Sequence, residues 1–449
     1  MNALVRLVLP DVQDLLREGT PEDVATALAP FHSADVGELL GELPDEEAGK
    51  LLVGLPVERR VEVFEQLEVQ DQVRLVYALG AETLAPIVAA MASDDRADLV
   101  SELPPEHVSS LLTLLPPEEA KDVALLANYE EESAGGIMTS EFVRLSPTDT
   151  AAQAIERVRA QATRRETVHA LYVLDDDGRL VGVVSVTNLI LSPPDDPISA
   201  VMYDNPITVS VDTDQETVVT QLRHYDFLAI PVLDRQGRMV GIVTHDDVLD
   251  VAMEEADEDA QRMAGVEPLE GPYFSTALMT LVRKRAVWLT VLFATGLVAG
   301  SILRGFEEAL QKTVALVYFL PLIIAAGGNT GSQSATLVVR GIAMGEMRFR
   351  DTWRILKREL ISGVLLGVLL GALGLGVALV WGKQDVALVV LLTLIAVVTV
   401  GSLLGCTLPL LLDRIGIDPA ITSSPLVAAL VDVLGILIYV LLAMVLIGA

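Results

Sequence analysis

The sequence predicts a multidomain membrane protein: an all-α superhelical N-terminal domain, an α/β pair of tandem domains, and an all-α domain of five membrane-spanning helices. Three observations predict it. Leu43, Leu55, Leu67, Leu79, Met91, Leu103 and Leu115 fall every twelve residues. A strand-and-helix pattern is written twice between 138 and 256, and long apolar runs occupy 286–303, 313–339, 360–381, 386–412 and 425–447. Charge divides the chain in the same way. Of its 449 residues, 1–270 hold 53 acidic and 18 basic side chains, net −35, whereas 271–449 hold 9 and 13, net +4. An acidic soluble half thus precedes an apolar half, which reconciles the overall net charge of −31 with 51% hydrophobic composition. A region of that charge repels phosphates, arguing against a nucleic-acid partner, and draws cations.

The first domain, 1–130, follows from its twelve-residue units, such as LPDEEAGKLLVG, LPPEHVSSLLTL and LPPEEAKDVALL. After each anchor comes a Pro or small polar residue, then acids at the positive end of the helix dipole, then apolar residues, which is a helix start. Units this short are unstable alone, so stacking must bury the leucines in a superhelix with an acidic exterior.

The second region repeats. LYVLDDDGRLVGVVSVTNLI (171–190) matches IPVLDRQGRMVGIVTHDDVL (230–249), giving a strand, a Gly-containing turn, a second strand and a helix in each copy. The pair, at 138–196 and 202–256, resembles tandem cystathionine-β-synthase (CBS) domains. In that family an S/T-x-x-D step after the second strand contacts a nucleotide ribose. The second copy keeps it as Thr244 to Asp247; the first has Ser185 to Asn188. Asn188 and Asp247 are therefore the nucleotide candidates, with ATP as an optional ligand.

Next comes an expected connecting helix, 257–280. The acids in and before it are denser than packing needs: Asp214, Glu216, Asp226, Asp247, Asp250, Glu255, Glu258 and Asp259 among others. Like charges this close destabilise a helix unless counterions lie between them, and hard divalent cations such as Mg²⁺ or Ca²⁺ favour carboxylate oxygens. The competing reading is a solvated acidic helix.

Each apolar run can cross a hydrocarbon core of about 30 Å. Arg283, Lys284, Arg285, Arg340, Arg348, Arg350, Arg354, Lys357, Arg358 and Arg414 fall on one side, with Arg304, Lys312 and Lys383 on the other. The positive-inside rule then expects a multi-pass cell-membrane protein with a cytoplasmic N-terminus and an outer C-terminus. The opening MNALVRLVLPDVQDLL reads as no signal peptide, in agreement. One charge, Asp432, lies within the fifth run, where burial in lipid costs about 2.5–3.5 kcal/mol on insertion scales. Ser424, Ala428 and Asp432, spaced by four, make a narrow stripe suited to a cation. In the second run, PLIIAAGGNTGSQSAT, Pro321 with Gly327, Gly328 and Gly331 is expected to weaken the helix, freeing carbonyls beside Asn329 and Gln333. Close helix packing through those glycines is the alternative. One carboxylate cannot balance a divalent ion, so a two-fold homodimer pairing two Asp432 side chains is expected.

These parts in this order, with EESAGGIMTSEF (131–142), PLIIAAGGNTGSQSAT and PLVAALVDVLGILIY, resemble the MgtE Mg²⁺ channels. The resemblance implies a homodimeric Mg²⁺-selective channel in the lipid bilayer, taking up Mg²⁺ and closing when cytosolic Mg²⁺ is high. It implies an ion site at Asp432 and the Ala428 backbone, a pore lined by Ser424, Gly327, Gly328, Asn329 and Gln333, and sensor acids at Asp95, Asp214, Glu216, Asp226, Asp247, Asp250, Glu255, Glu258, Asp259 and Asp418. Ser424 stands where related chains can carry Asn. The rival readings are a secondary divalent-cation transporter and a membrane-anchored CBS nucleotide sensor. With one cysteine, Cys406, scattered histidines, and no P-loop or activated nucleophile, the sequence is not expected to encode an enzyme.

Overall fold

A computed structural model describes residues 3–161, 169–269, 271, 273, 274, 276–421 and 424–448, and the chain divides into two compact units, Met1–Met253 and Glu254–Ala449. Positions 162–168 of the first tandem copy, 270, 272 and 275 of the expected connecting helix, and 1, 2, 422, 423 and 449 lie outside the described residues.

The first unit opens with α1 (Ala3–Glu18), α2 (Pro21–Leu28), α3 (Ser33–Gly41), α4 (Asp45–Gly54), α5 (Val57–Glu65), α6 (Val69–Leu79), α7 (Ala81–Val88), α8 (Ser93–Ser101), α9 (Pro105–Leu114) and α10 (Pro117–Leu126). Pro44, Pro56, Pro104 and Pro116 sit at N-caps, where a missing N–H costs nothing, and acids fill the first turns behind them. The leucine before each proline is buried. Helices pack on the second neighbour along the chain, as in α2–α4, α3–α5, α4–α6, α5–α7 and α7–α9, which is a superhelical stack. Each buried leucine contributes about 1.5–3 kcal/mol, which these eight- to eleven-residue helices lack by themselves.

The tandem copies are two three-stranded sheets. β1 (Arg144–Leu145) lies parallel to β2 (Ala170–Leu174), which is antiparallel to β3 (Leu180–Ser185); β4 (Val209–Ser210), β5 (Ala229–Leu233) and β6 (Met239–Thr244) repeat the order. Gly178 and Gly237, both at φ +79°, close the equivalent turns. Around them lie α11 (Ala151–Gln161), α12 (Val186–Leu191), α13 (Ile198–Val201), α14 (Gln215–Tyr225) and α15 (His245–Met263). The copies exchange their lead-in segments. Thr139 bridges Ile242 of β6, Tyr203 bridges Val183 of β3, and Met138 is buried in the second copy's core. A first copy beginning at 138 in the sequence thus begins, in space, inside the second.

The expected helix over 257–280 is not what forms. α15 runs without interruption from the second copy to Met263, and Gly265 (φ +73°) followed by Pro268 ends it. Gln261 holds the outgoing chain: its carbonyl accepts from the Val266 N–H (3.0 Å) and its Oε1 from the Leu269 N–H (3.0 Å). Lys284, buried on the first membrane helix, donates to the Pro268 carbonyl.

The second unit contains α16 (Leu278–Gly305), short α17 (Glu307–Lys312), α18 (Ala315–Ala343), α19 (Thr352–Val380), α20 (Gln384–Arg414) and α21 (Ser424–Ile447). Among the described residues, α16, α18, α19, α20 and α21 are the helices long and apolar enough to cross a membrane. α20 is central, packing on α18, α19 and α21. The weakening expected near Pro321 does not interrupt the helix: α18 is continuous with Pro321 inside it, where the missing N–H forfeits one backbone bond. The glycines serve close approach instead. A Cβ on Gly405 would lie 2.2 Å from the Gly331 carbonyl oxygen, and one on Gly401 2.7 Å from that of Gly327. Backbone-to-backbone contact leaves no room for side chains there.

Candidate cation pathway and its acidic control region

On α21, Ser424, Ala428 and Asp432 form a half-exposed stripe, flanked by buried Val427 and Val431. Gly328 of α18 faces it: a Cβ there would meet Asp432 Oδ1 at 3.1 Å and Ala428 Cβ at 3.3 Å. Glycine at 328 therefore leaves open the space beside the carboxylate. Gly327, expected in the same lining, is turned away; its Cβ would strike Val397 at 2.4 Å and Val431 at 2.9 Å. The helical step of about 100° per residue separates these neighbours onto different faces. Asn329 and Gln333, one turn apart, are exposed on α18. Ser332 Oγ donates to the Ser424 carbonyl (2.8 Å), and Thr336 Oγ1 lies 3.4 Å from Ser424 Oγ, tying α18 to the start of α21. Among the described residues Asp432 has no ion-pair or hydrogen-bond partner, which leaves its charge for water or a cation.

A second acid inside this unit escaped sequence reasoning. Glu359, at the edge of an apolar run, accepts at Oε2 from Ser334 of α18 (2.7 Å) and Ser402 of α20 (2.5 Å), while Ser334 also reaches the Ser402 carbonyl (2.9 Å). It fastens three helices at one level.

The acids of the soluble half separate into groups. Asp95 on α8 and Asp247 on α15 meet in one place, with Glu65 and Asp246 nearby. Burial foremost, then the charges of Glu65, Asp247, Asp98 and Asp246, push the Asp95 carboxyl up to about 7. Burial also raises Asp247, against the hydrogen bonds it accepts from Thr244. Beside them Arg96, buried, spends its guanidinium on the Val88 and Met91 carbonyls (2.8 and 2.5 Å). Asp214 caps α14, accepting from the Glu216 and Thr217 N–H groups (3.0 and 3.4 Å). Asp226 ends the same helix at φ +53°, so Asp214 with Glu216 is separated from Asp226 by an eleven-residue helix, roughly 16 Å, too far to share one ion. Asp250 is exposed. Asn188 donates to the Tyr203 hydroxyl (3.3 Å), and its N–H to Ser185 Oγ (3.1 Å). Among the described residues no three His, Cys, Asp or Glu side chains converge tightly enough to enclose a metal.

In the second unit, Glu255, Glu258 and Asp259 gather with Asp418 of the loop before α21. Burial, then Asp418 and Glu255, raise the Asp259 carboxyl, with Arg262 opposing. Arg262 Nη1 lies 2.9 Å from Asp418 Oδ2 and Nη2 2.6 Å from Glu258 Oε2. The other Asp418 oxygen accepts from the Ala420 N–H (2.7 Å). Sequence reading singled out the acids and passed over Arg262, although Glu258 and Arg262 stand four apart on a helix, a spacing that pairs side chains.

Known proteins resemble the chain along its length. Residues 320–442 match a family described as a divalent cation transporter, MgtE; 31–132 match the MgtE intracellular N domain; 134–194 and 198–254 match the CBS domain. The magnesium transporter MgtE of Thermus thermophilus is 41% identical over 73% of this chain and 73% of its own, and that of Bacillus subtilis 36% over 71% and 70%. The structure of the cytosolic domain of the Mg²⁺ channel MgtE in complex with ATP superposes with TM-score 0.52 at 35% identity, covering 54% of this chain and 99% of that one.

Proposed function

The chain belongs to the MgtE family of divalent cation transporters, and we propose that Mg²⁺ crosses the membrane along the stripe of α21 that carries Asp432. It transports Mg²⁺ across a membrane that it spans several times, under the control of its own soluble region. The observation that carries the pathway is Asp432 itself: an intramembrane carboxylate on a half-exposed face, lacking a basic partner among the described residues, with Gly328 clearing the space before it.

Mg²⁺ sheds water reluctantly, so the Ala428 backbone and Asp432 hold the hydrated ion through its waters, with Ser424, Asn329 and Gln333 as polar lining. Two subunits related by a two-fold axis bring two Asp432 carboxylates to one divalent ion, and the homodimer supplies walls that five helices lack. The N-terminal half lies in the cytoplasm and the C-terminus outside.

Control is electrostatic. Asp95 with Asp247, Asp214 with Glu216, Asp226, Asp250, and the group of Glu255, Glu258, Asp259 and Asp418 take up cytosolic Mg²⁺. Without it, like charges repel and α15 is released; with it, the acids are drawn together and the pathway shuts, so entry limits itself. Support for this comes from the Asp95 carboxyl, raised to about 7 by burial and four neighbouring acids, a cost that a divalent cation removes. ATP, present in the structure of the related cytosolic domain, is assigned to the CBS pair here. The pathway performs no covalent chemistry.

Mg²⁺ uptake into proteoliposomes at equal pH on both sides tests the pathway. Wild type should fill the vesicles and Asp432→Ala should not. Uptake that appears only with an imposed proton gradient would point to a coupled carrier, and undiminished uptake by Asp432→Ala would remove this pathway.

A further inference from the structure

We infer that Arg262 is a tethered cation occupying the control site between α15 and the loop before α21, and that a divalent cation must displace its guanidinium to bridge Glu258 and Asp418. The inference rests on the reading of those acids as part of the Mg²⁺ control region. The fork of one side chain reaches two carboxylates on separate elements, at 2.9 Å (Asp418) and 2.6 Å (Glu258). A Mg²⁺ ion, directly bound or through its waters, needs the same oxygens and the same space. Both cations are positive, so simultaneous occupancy is opposed by repulsion as well as by volume.

Charge explains why exchange is favourable. Glu255, Glu258, Asp259 and Asp418 carry four negative charges around one guanidinium, and a divalent ion offsets more of this than Arg262 does. Accessibility explains why exchange is feasible. The side chains of Arg262, Glu258 and Asp418 are 32%, 33% and 34% exposed. Ion pairs this wet contribute little to stability, too weak to hold a gate and weak enough to yield. The backbone beneath Arg262 stays fixed meanwhile, since Gln261 anchors the following turn and Lys284 takes the Pro268 carbonyl. Displacement therefore swings a side chain into water without unwinding α15. Arg262 thus sets the Mg²⁺ concentration at which the control region responds.

The test uses the full-length chain, with Mg²⁺ alone as ligand, in wild type, Arg262→Gln and Arg262→Lys. Two midpoints are measured: protection of the soluble half from protease in detergent, and closure of Mg²⁺ flux in proteoliposomes. Arg262→Gln should lower both midpoints by about three- to tenfold, the range expected for losing a competitor of this strength. Arg262→Lys, a point charge that meets one carboxylate at a time, should fall between. Protection in wild type with the Arg262→Gln midpoint unchanged or raised would overturn the inference alone, and a raised midpoint would make Arg262 a clasp. Absence of Mg²⁺ protection from all three proteins would overturn the control reading and this inference together.

Discussion

Gly328 leaves open the space beside the Asp432 carboxylate, whereas Gly405 packs against backbone, two uses of glycine that look identical on paper. The structure separates them. A methyl group at Gly328 approaches Asp432 and Ala428 at 3.1 and 3.3 Å, tight but without backbone clash, whereas one at Gly405 would lie 2.2 Å from a carbonyl oxygen. Gly328→Ala should therefore fold normally, by thermal unfolding in detergent, and conduct several-fold less Mg²⁺; Gly405→Ala should lose thermal stability and folded yield. Asp95 supplies a pH prediction. Its carboxyl titrates near 7 in the folded chain against about 3.9 when unfolded, so the native state binds the extra proton between those values. The stability this lends the Mg²⁺-free protein is complete below about pH 4 and is lost as pH rises through 7. Protons compete with Mg²⁺ for the same carboxylate, so the protective Mg²⁺ concentration should rise as pH falls below 7, by up to about tenfold per pH unit for one proton released. Asp95→Asn should flatten that dependence. A protease midpoint that ignores pH between 6 and 8 in wild type would deny Asp95 the role.

Among the elements, the helices of the twelve-residue repeat and the doubled strand pattern are readable because periodicity reports burial directly. The connecting helix expected over 257–280 ends earlier, because Gly265 and Pro268 stop α15 at Met263, and the ties from Gln261 to Leu269 and from Lys284 to Pro268 carry no periodic signature. Exchange of lead-in segments between the two sheets is hidden for the same reason. Glu359 was passed over because it stands at the edge of its apolar run, yet it joins α18, α19 and α20 through Ser334 and Ser402. Glu359→Leu should leave Ser334 and Ser402 only backbone carbonyls as acceptors and lower the melting temperature of the purified protein, while Glu359→Gln, still able to accept, should lose less. In the N-terminal stack, Leu55→Ala should cost about 2–5 kcal/mol and open α4 and α5 to protease while flux through the membrane unit survives.

For the whole molecule, the division into an acidic half and an apolar half follows from charge counting alone, and among the described residues five helices correspond to the five apolar runs. The proposed pairing of two subunits rests on Asp432, whose single charge cannot balance a divalent ion. Orientation is checked by labelling. Cys406 is buried, so a cysteine placed at Gly345 should react with a membrane-impermeant maleimide only from the cytoplasmic side, and one at Gly448 only from outside. The most direct measurement is Mg²⁺ current through the purified protein in a planar bilayer while Mg²⁺ on the side of the soluble half is raised. Wild type should conduct and then close, Asp418→Asn should stay open at concentrations that shut wild type, and Asp432→Ala should pass nothing. Current through Asp432→Ala equal to that of wild type would contradict the proposed path.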